Sequence, residues 1–170
     1  MTVLLPLEVL ALNLESEVIS NKGYIPDRYT CDAQDFSPPL FWSKAPVKTK
    51  SFVLICDDPD APFQTWVHWV VFNIPIDVSR FKENVSKEEL SKLSIISGVN
   101  DFDKLIYKGP CPPAPKPHRY FFKLYALDIM LPLKEGATKS EVIKAMQGHI
   151  LAEAQIIGLY QRKEKEDGKD

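Results

Sequence analysis

Glycine and cysteine are scarce in this 170-residue chain, with seven of the first and three of the second. The cysteines, Cys31, Cys56 and Cys111, are odd in number and show no CxxC spacing, which argues against a disulfide framework and for a reducing, cytoplasmic setting. An excess of basic charge is also missing. The formal net charge is −2 and Lys and Arg are scattered, so nothing offers nucleic acid a broad electrostatic footprint. Long apolar runs are absent too. Met1-Thr2-Val3-Leu4-Leu5-Pro6 has no basic flank and is soon followed by Glu8 and Glu15, so neither a secretory signal nor a membrane span is expected. Without secretion, the glycosylation sequon Asn84-Val85-Ser86 carries no weight. There is no GxSxG, no P-loop and no GxGxxG, and no cofactor is implied. Ser79-Arg80-Phe81-Lys82 fits S-x-x-K but lacks the companion motifs of that hydrolase class.

Proline, by contrast, is abundant at fourteen residues and concentrates in two clusters. The first is Asp57-Asp58-Pro59-Asp60-Ala61-Pro62, followed by Trp66-Val67-His68-Trp69. The second is Gly109-Pro110-Cys111-Pro112-Pro113, leading to His118-Arg119-Tyr120. Proline fixes φ in folded and unfolded chains alike, so such loops lose little entropy on ordering and suit the rim of a site. The length accommodates one domain over residues 1–162, with the charged stretch 163–170 read as a disordered tail.

Three segments read as buried strands: Phe52 to Cys56, Trp66 to Ile74 and Tyr120 to Leu127. Weaker candidates are Leu12 to Ile19, Leu40 to Trp42 and Ile106-Tyr107. Capping boxes at Ser86-Lys87-Glu88-Glu89 and Thr138-Lys139-Ser140-Glu141 open two helices, the second broken at Gly148. Beyond it, Ile150, Leu151, Ala154 and Ile157 fit one face of a further helix. The pattern as a whole is mainly β with C-terminal helices, arranged as an antiparallel β-sandwich.

Period-two geometry sets Trp66, His68, Val70 and Phe72 on one strand face, and His118, Tyr120, Phe122 and Leu124 on another. Each histidine then stands where a strand leaves its rigid loop, half in the core and half wet. Asp58 and Asp60 reach the same rim. The bland alternatives are that Asp-Pro-Asp is only a turn, that the tryptophans are core and that the histidines are hydrogen-bonded packing. Placement favours a pocket, because two of the three histidines each follow one of the two rigid loops. His149, at a helix junction, reads as structural.

Taken in order, these motifs resemble the phosphatidylethanolamine-binding protein family, which includes the Raf kinase inhibitor proteins, and within it the bacterial and archaeal YbhB/YbcL branch. The resemblance rests on Ile25-Pro26, Tyr29-Thr30-Cys31-Asp32, Ser37-Pro38-Pro39-Leu40-Phe41-Trp42 and the two clusters above. It continues through Leu124-Tyr125-Ala126-Leu127 and Gly148-His149 to Gly158 and Tyr160. It implies a central antiparallel sheet packed on a smaller one, and a small pocket for phosphate, acetate or a phosphorylethanolamine-like headgroup. Asp58, Asp60, Trp66, His68, His118 and Tyr120 would line that pocket, with Gly109 and Cys111 contributing loop backbone. Ala114-Pro115-Lys116-Pro117 departs from the glycine that family members often carry there, stiffening the loop and placing Lys116 near the mouth. The polar tail offers no counterpart to the C-terminal helix that can cover the pocket in eukaryotic members.

The function implied is non-enzymatic binding of a small anionic or phosphorylated ligand. A regulatory role toward a partner kinase or protease is a further expectation, and bacterial relatives suggest a homodimer. The rival is a small hydrolase or metal-assisted enzyme working through His68, His118 and the Asp pair.

Overall fold

The computed structural model describes residues 11–163; the apolar start of the chain and residues 164–170 of the charged tail lie outside the described residues. Two antiparallel sheets face one another. The larger takes β3 (Ser51–Asp58), β4 (Trp66–Pro75), β6 (Ile96–Ser97), β7 (His118–Leu127) and β8 (Ile150–Tyr160) in the order β6-β4-β3-β7-β8. The smaller takes β1 (Asn13–Glu15), β2 (Leu40–Ser43) and β5 (Arg80–Phe81) in the order β1-β2-β5. Two short helices, α1 (Lys87–Lys92) and α2 (Lys139–Met146), complete the fold. This is the expected mainly β sandwich.

The continuous apolar run of β3 makes it the central strand, buried at every position. Its two faces serve two cores. Phe52, Leu54 and Cys56 meet Leu14, Trp42 and Phe81 of the small sheet, while Val53 and Ile55 meet Leu131 and the Val142 and Met146 of α2. Each fully buried side chain of this size contributes about 1.5–3 kcal/mol of transfer free energy. Both capping boxes form as the sequence indicates: Ser86 and Thr138 each accept from the third helical backbone N–H, and Glu89 and Glu141 reach back to the cap.

Three expectations are corrected. The segment after Gly148 is not helical; β8 pairs with β7 from Leu127↔Ile150 to His118↔Tyr160. Ala152, Ala154, Ile156 and Tyr160, every second residue, face the main core. The spacing of Ile150, Leu151, Ala154 and Ile157 fits either period, and the ten-residue edge of β7 decides for the strand by offering backbone partners along its length. Ile106-Tyr107 forms no strand, and Leu12 to Ile19 supplies only the three residues of β1. Finally, His68 does not share a face with Val70 and Phe72; these two pack toward α2, whereas His68 lies against Tyr120 on the side of the small sheet.

Candidate functional site

The C-terminal end of β3 and the starts of β4 and β7 lie together at one end of the larger sheet, and a cavity of about 360 Å³ opens there. Asp58, Trp66, His68, Cys111, His118 and Tyr120 line it. Asp60 and Gly109 do not, and neither does Lys116. A larger hollow of about 750 Å³, beside Pro26, Pro115 and Arg162, has neither His68 nor His118 in its wall.

His68 reaches the cavity by a device that alternation could not reveal. Cys56 pairs with Trp69 and the next residue, Asp57, pairs with Val67, so His68 is the extra residue of a β-bulge. A bulge of this kind re-aims a side chain at the cost of one ladder position. His68 and Trp69 therefore both turn toward the side of Tyr120 and Phe122, and the period of two resumes as far as Phe72, before a second register shift opposite Phe52 and Leu54. The His68 ring is 2% exposed, with Nδ1 donating to the Lys108 carbonyl at 2.6 Å. The edges of Phe102 and Tyr120 flank it at ring-centroid distances of 5.3 and 5.2 Å. Burial pushes its pKa below the ordinary 6.5, opposed by the Lys108 carbonyl and then by the charge of Asp58. A depressed histidine favours the folded state only while neutral. Its contribution is full above pH 6.5 and is lost as pH falls from there through the lower folded value.

The acidic cluster is divided among three tasks. Asp57 points to the opposite face, fully buried, and pairs with Lys139 of α2 at 2.5 Å and Lys123 of β7 at 3.1 Å. Asp58 turns into the cavity side, where Oδ2 accepts from His118 Nδ1 at 2.7 Å and Oδ1 accepts from the Asp60 backbone N–H at 2.8 Å. That second bond closes the Asp-Pro-Asp turn. Asp60 faces outward and is held by Arg119 through Nε at 2.9 Å and Nη2 at 2.8 Å. This fork of hydrogen bonds lowers the Asp60 pKa, and burial only partly opposes it.

Tyr120 completes the floor. Its hydroxyl is buried without a hydrogen-bond partner among the described residues. Burial drives its pKa far upward, and the nearby Asp58 carboxylate, placed to repel a phenolate but not to accept the hydroxyl in good geometry, adds to this. It is a neutral donor at any ordinary pH.

The second wall is fastened from behind. Gly109 N–H donates to Asp35 Oδ1 at 2.6 Å, Cys31 N–H to the Pro110 carbonyl at 3.1 Å, and the Tyr107 hydroxyl to the Tyr29 carbonyl at 2.8 Å. Cys31 and Cys111 form a disulfide, which corrects the expectation of free thiols. The odd count is one pair plus the buried, free Cys56. Eighty residues separate the partners, so no local spacing discloses the pairing. Gly109 is required by close approach, because a Cβ there would stand 2.2 Å from the Tyr29 carbonyl oxygen. Gly109→Ala is accordingly expected to cost about 1–3 kcal/mol through displacement of this loop, measurable as a lower midpoint in urea.

Sequence reasoning missed the apolar half of the cavity: Phe63, Phe102, Pro112 and Pro113. The prolines sat within the second cluster, but nothing marked the two phenylalanines. Phe102 is brought in by the reciprocal bonds of Asp101, whose carboxylate accepts from Val67 N–H at 2.7 Å and whose N–H donates to the Val67 carbonyl at 3.0 Å. His149, read as structural, bonds Asp128 at 2.8 Å between α2 and β8. No group of three or more His, Cys, Asp and Glu side chains among the described residues is arranged to hold a metal ion.

The chain matches the family model described as phosphatidylethanolamine-binding protein over residues 15–161. A UPF0098 protein of Methanothermobacter thermautotrophicus is 51% identical over 151 residues, spanning 89% of this chain and 99% of that relative. Another, of Aquifex aeolicus, is 49% identical over 150 residues, spanning 86% of each. The crystal structure of a putative phosphatidylethanolamine-binding protein homolog, CT736 of Chlamydia trachomatis, is similar with a TM-score of 0.83 at 38% identity, covering 91% of this chain and 99% of that one. YbcL of E. coli, described as a member of the mammalian PEBP family, gives a TM-score of 0.83 at 31% identity, covering 89% and 99%. With the family model matched over most of its length and relatives near half identity across it, this chain belongs to the phosphatidylethanolamine-binding protein family.

Proposed function

We propose that this protein is a non-enzymatic binding protein whose cavity takes a small anion of the phosphate or phosphorylethanolamine type. One observation carries the reading: His68, His118 and the unpartnered Tyr120 hydroxyl converge on one small cavity, with each histidine's Nδ1 already engaged by the protein. The groups left to a ligand are two imidazole Nε2 atoms and a neutral hydroxyl, a set that suits oxyanion oxygens. Asp58 holds His118 through its Nδ1, and Asp60 is occupied by Arg119, so the acids orient the site.

Titration calorimetry with phosphorylethanolamine and inorganic phosphate tests this. Both are expected to bind the intact protein, and His118→Ala to weaken binding at least tenfold, about 1.4 kcal/mol. Absence of heat for both ligands at millimolar concentration would overturn the reading. Regulation of a partner kinase or protease belongs to the same proposal, with the loaded pocket as the state that a partner reads. The Cys31–Cys111 disulfide removes the support that the cysteine count lent to a reducing, cytoplasmic setting. A homodimer is the proposed assembly, and light scattering after gel filtration measures it.

A further inference from the structure

We propose that the ligand of the pocket is a water-soluble phosphate monoester whose alcohol part is apolar and aromatic, and that Phe63 is held at the mouth to receive that part. This rests on the anion-pocket reading above and names the organic half of the ligand.

Phe63 is held in a conformation whose cost no packing within the protein offsets. The Pro62 carbonyl accepts from Gln64 N–H at 3.0 Å, so Phe63 is the middle residue of a three-residue turn, with φ at +74°. This is the rarer, strained form of the γ-turn, and a bulky side chain is an uncommon occupant of positive φ. The Phe63 residue is also fully exposed, at 108% of its reference area. Glycine would suit the turn better, and it would leave no apolar ring in water. Yet the ring stands in the wall of the cavity, where a ligand can cover it.

That wall has two chemically different halves. The polar end consists of His68, His118 and the Tyr120 hydroxyl beside Asp58. Beyond it stand Phe63, Trp66, Phe102, Pro112 and Pro113. A bare phosphate engages only the polar end, whereas about 360 Å³ is a volume that encloses a small organic molecule.

An ammonium group on the ligand is poorly served by the apolar half. Asp60 lies outside the cavity and is taken by Arg119. Both oxygens of Asp58 already accept, one from His118 and one from the Asp60 backbone N–H. Trp66 and Phe102 meet edge to face, with centroids 5.6 Å apart and planes at 83°, so these two rings do not present parallel faces to a cation. An aromatic ester instead removes apolar surface from water on both partners, partly offset by the cost of ordering the ligand. No lysine or arginine lines the cavity, which favours a soluble ester over one presented on an anionic bilayer.

Titration calorimetry on the intact protein compares phenyl phosphate, phosphorylethanolamine and inorganic phosphate, with phenol as the anion-free control. Phenyl phosphate is expected to bind about tenfold tighter or more than the other two phosphates. Its heat-capacity change should be the more negative. Phe63→Gly is expected to shrink the preference to about threefold or less, and Phe102→Ala to shrink it as well. The urea midpoint of Phe63→Gly should be no lower than that of the unsubstituted protein, since glycine relieves the turn. Three results overturn this inference and leave the pocket reading intact: phosphorylethanolamine binding as tightly as phenyl phosphate, an unchanged preference in Phe63→Gly, or a markedly lower midpoint in that variant. Sedimentation with vesicles of phosphatidylcholine and phosphatidic acid, in place of phenyl phosphate binding, overturns it too. Phenol bound as tightly as phenyl phosphate, or no binding of any phosphate at millimolar concentration, overturns the pocket reading itself.

Discussion

Reduction of the Cys31–Cys111 disulfide is expected to lower the unfolding free energy by about 4.5 kcal/mol, the chain-entropy value for a loop of this length. For a chain of this size that corresponds to a fall of about 9–18 °C in the midpoint. The physical basis lies in the unfolded state. The bond closes a loop across 80 residues, which includes β2 to β6 and hence two of the central strands. Cys31→Ser with Cys111→Ser should reproduce the loss in the absence of reductant. Thermal and urea denaturation with and without a thiol measure it, and unchanged midpoints would refute the stabilising role. Ligand affinity is expected to fall less than stability. Cys111 is in the cavity wall, but the Asp35 bond to Gly109 and the Cys31 bond to the Pro110 carbonyl continue to hold that loop.

Asp58→Ala is expected to destabilise the protein by about 3–5 kcal/mol, the cost of removing one member of a buried pair. Its carboxylate is 3% exposed and His118 is 7% exposed, so solvent screens little of this loss. Two donors would be stranded, His118 Nδ1 and the Asp60 backbone N–H. Asp58→Asn separates stability from function, because an amide oxygen still accepts from His118 while the negative charge is gone. The stability loss should shrink, yet phosphate affinity should fall about tenfold or more, since the His118 ring facing the anion loses its charge-assisted bond to Asp58. Chemical denaturation reads the first effect and titration calorimetry the second. Wild-type affinity in Asp58→Asn would show that Asp58 merely props the ring.

These expectations depend on contacts of very different visibility in the sequence. The strand from Phe52 to Cys56 was legible because a short apolar run bounded by turn residues has few other places to go. The capping boxes at Ser86 and Thr138 were legible because a cap is made within four residues. The rim positions of Asp58, Trp66, His68, Cys111, His118 and Tyr120 followed from loop motifs and family resemblance. The roles of Asp57 and Asp60 did not, because each is set by a partner 59 or more residues away: Lys123 and Lys139 for one, Arg119 for the other. Phe102 carried no signal at all, since an aromatic residue in a polar loop looks the same whether it covers a cavity or faces water.

The sequence alone determined what local chemistry determines: apolar strand cores, helix starts, proline-stiffened loops and the histidines that follow them. Tertiary structure decided whatever depends on a distant surface. The eleven residues of β8 became a strand because β7 had an open edge, although their apolar spacing also suited a helix. Cys31 met Cys111 across 80 residues because two loops packed together behind the cavity. A single extra residue in β4 turned His68 inward against the strict alternation of its strand. In each case, burial and backbone pairing between remote segments outweighed the preference of the local sequence.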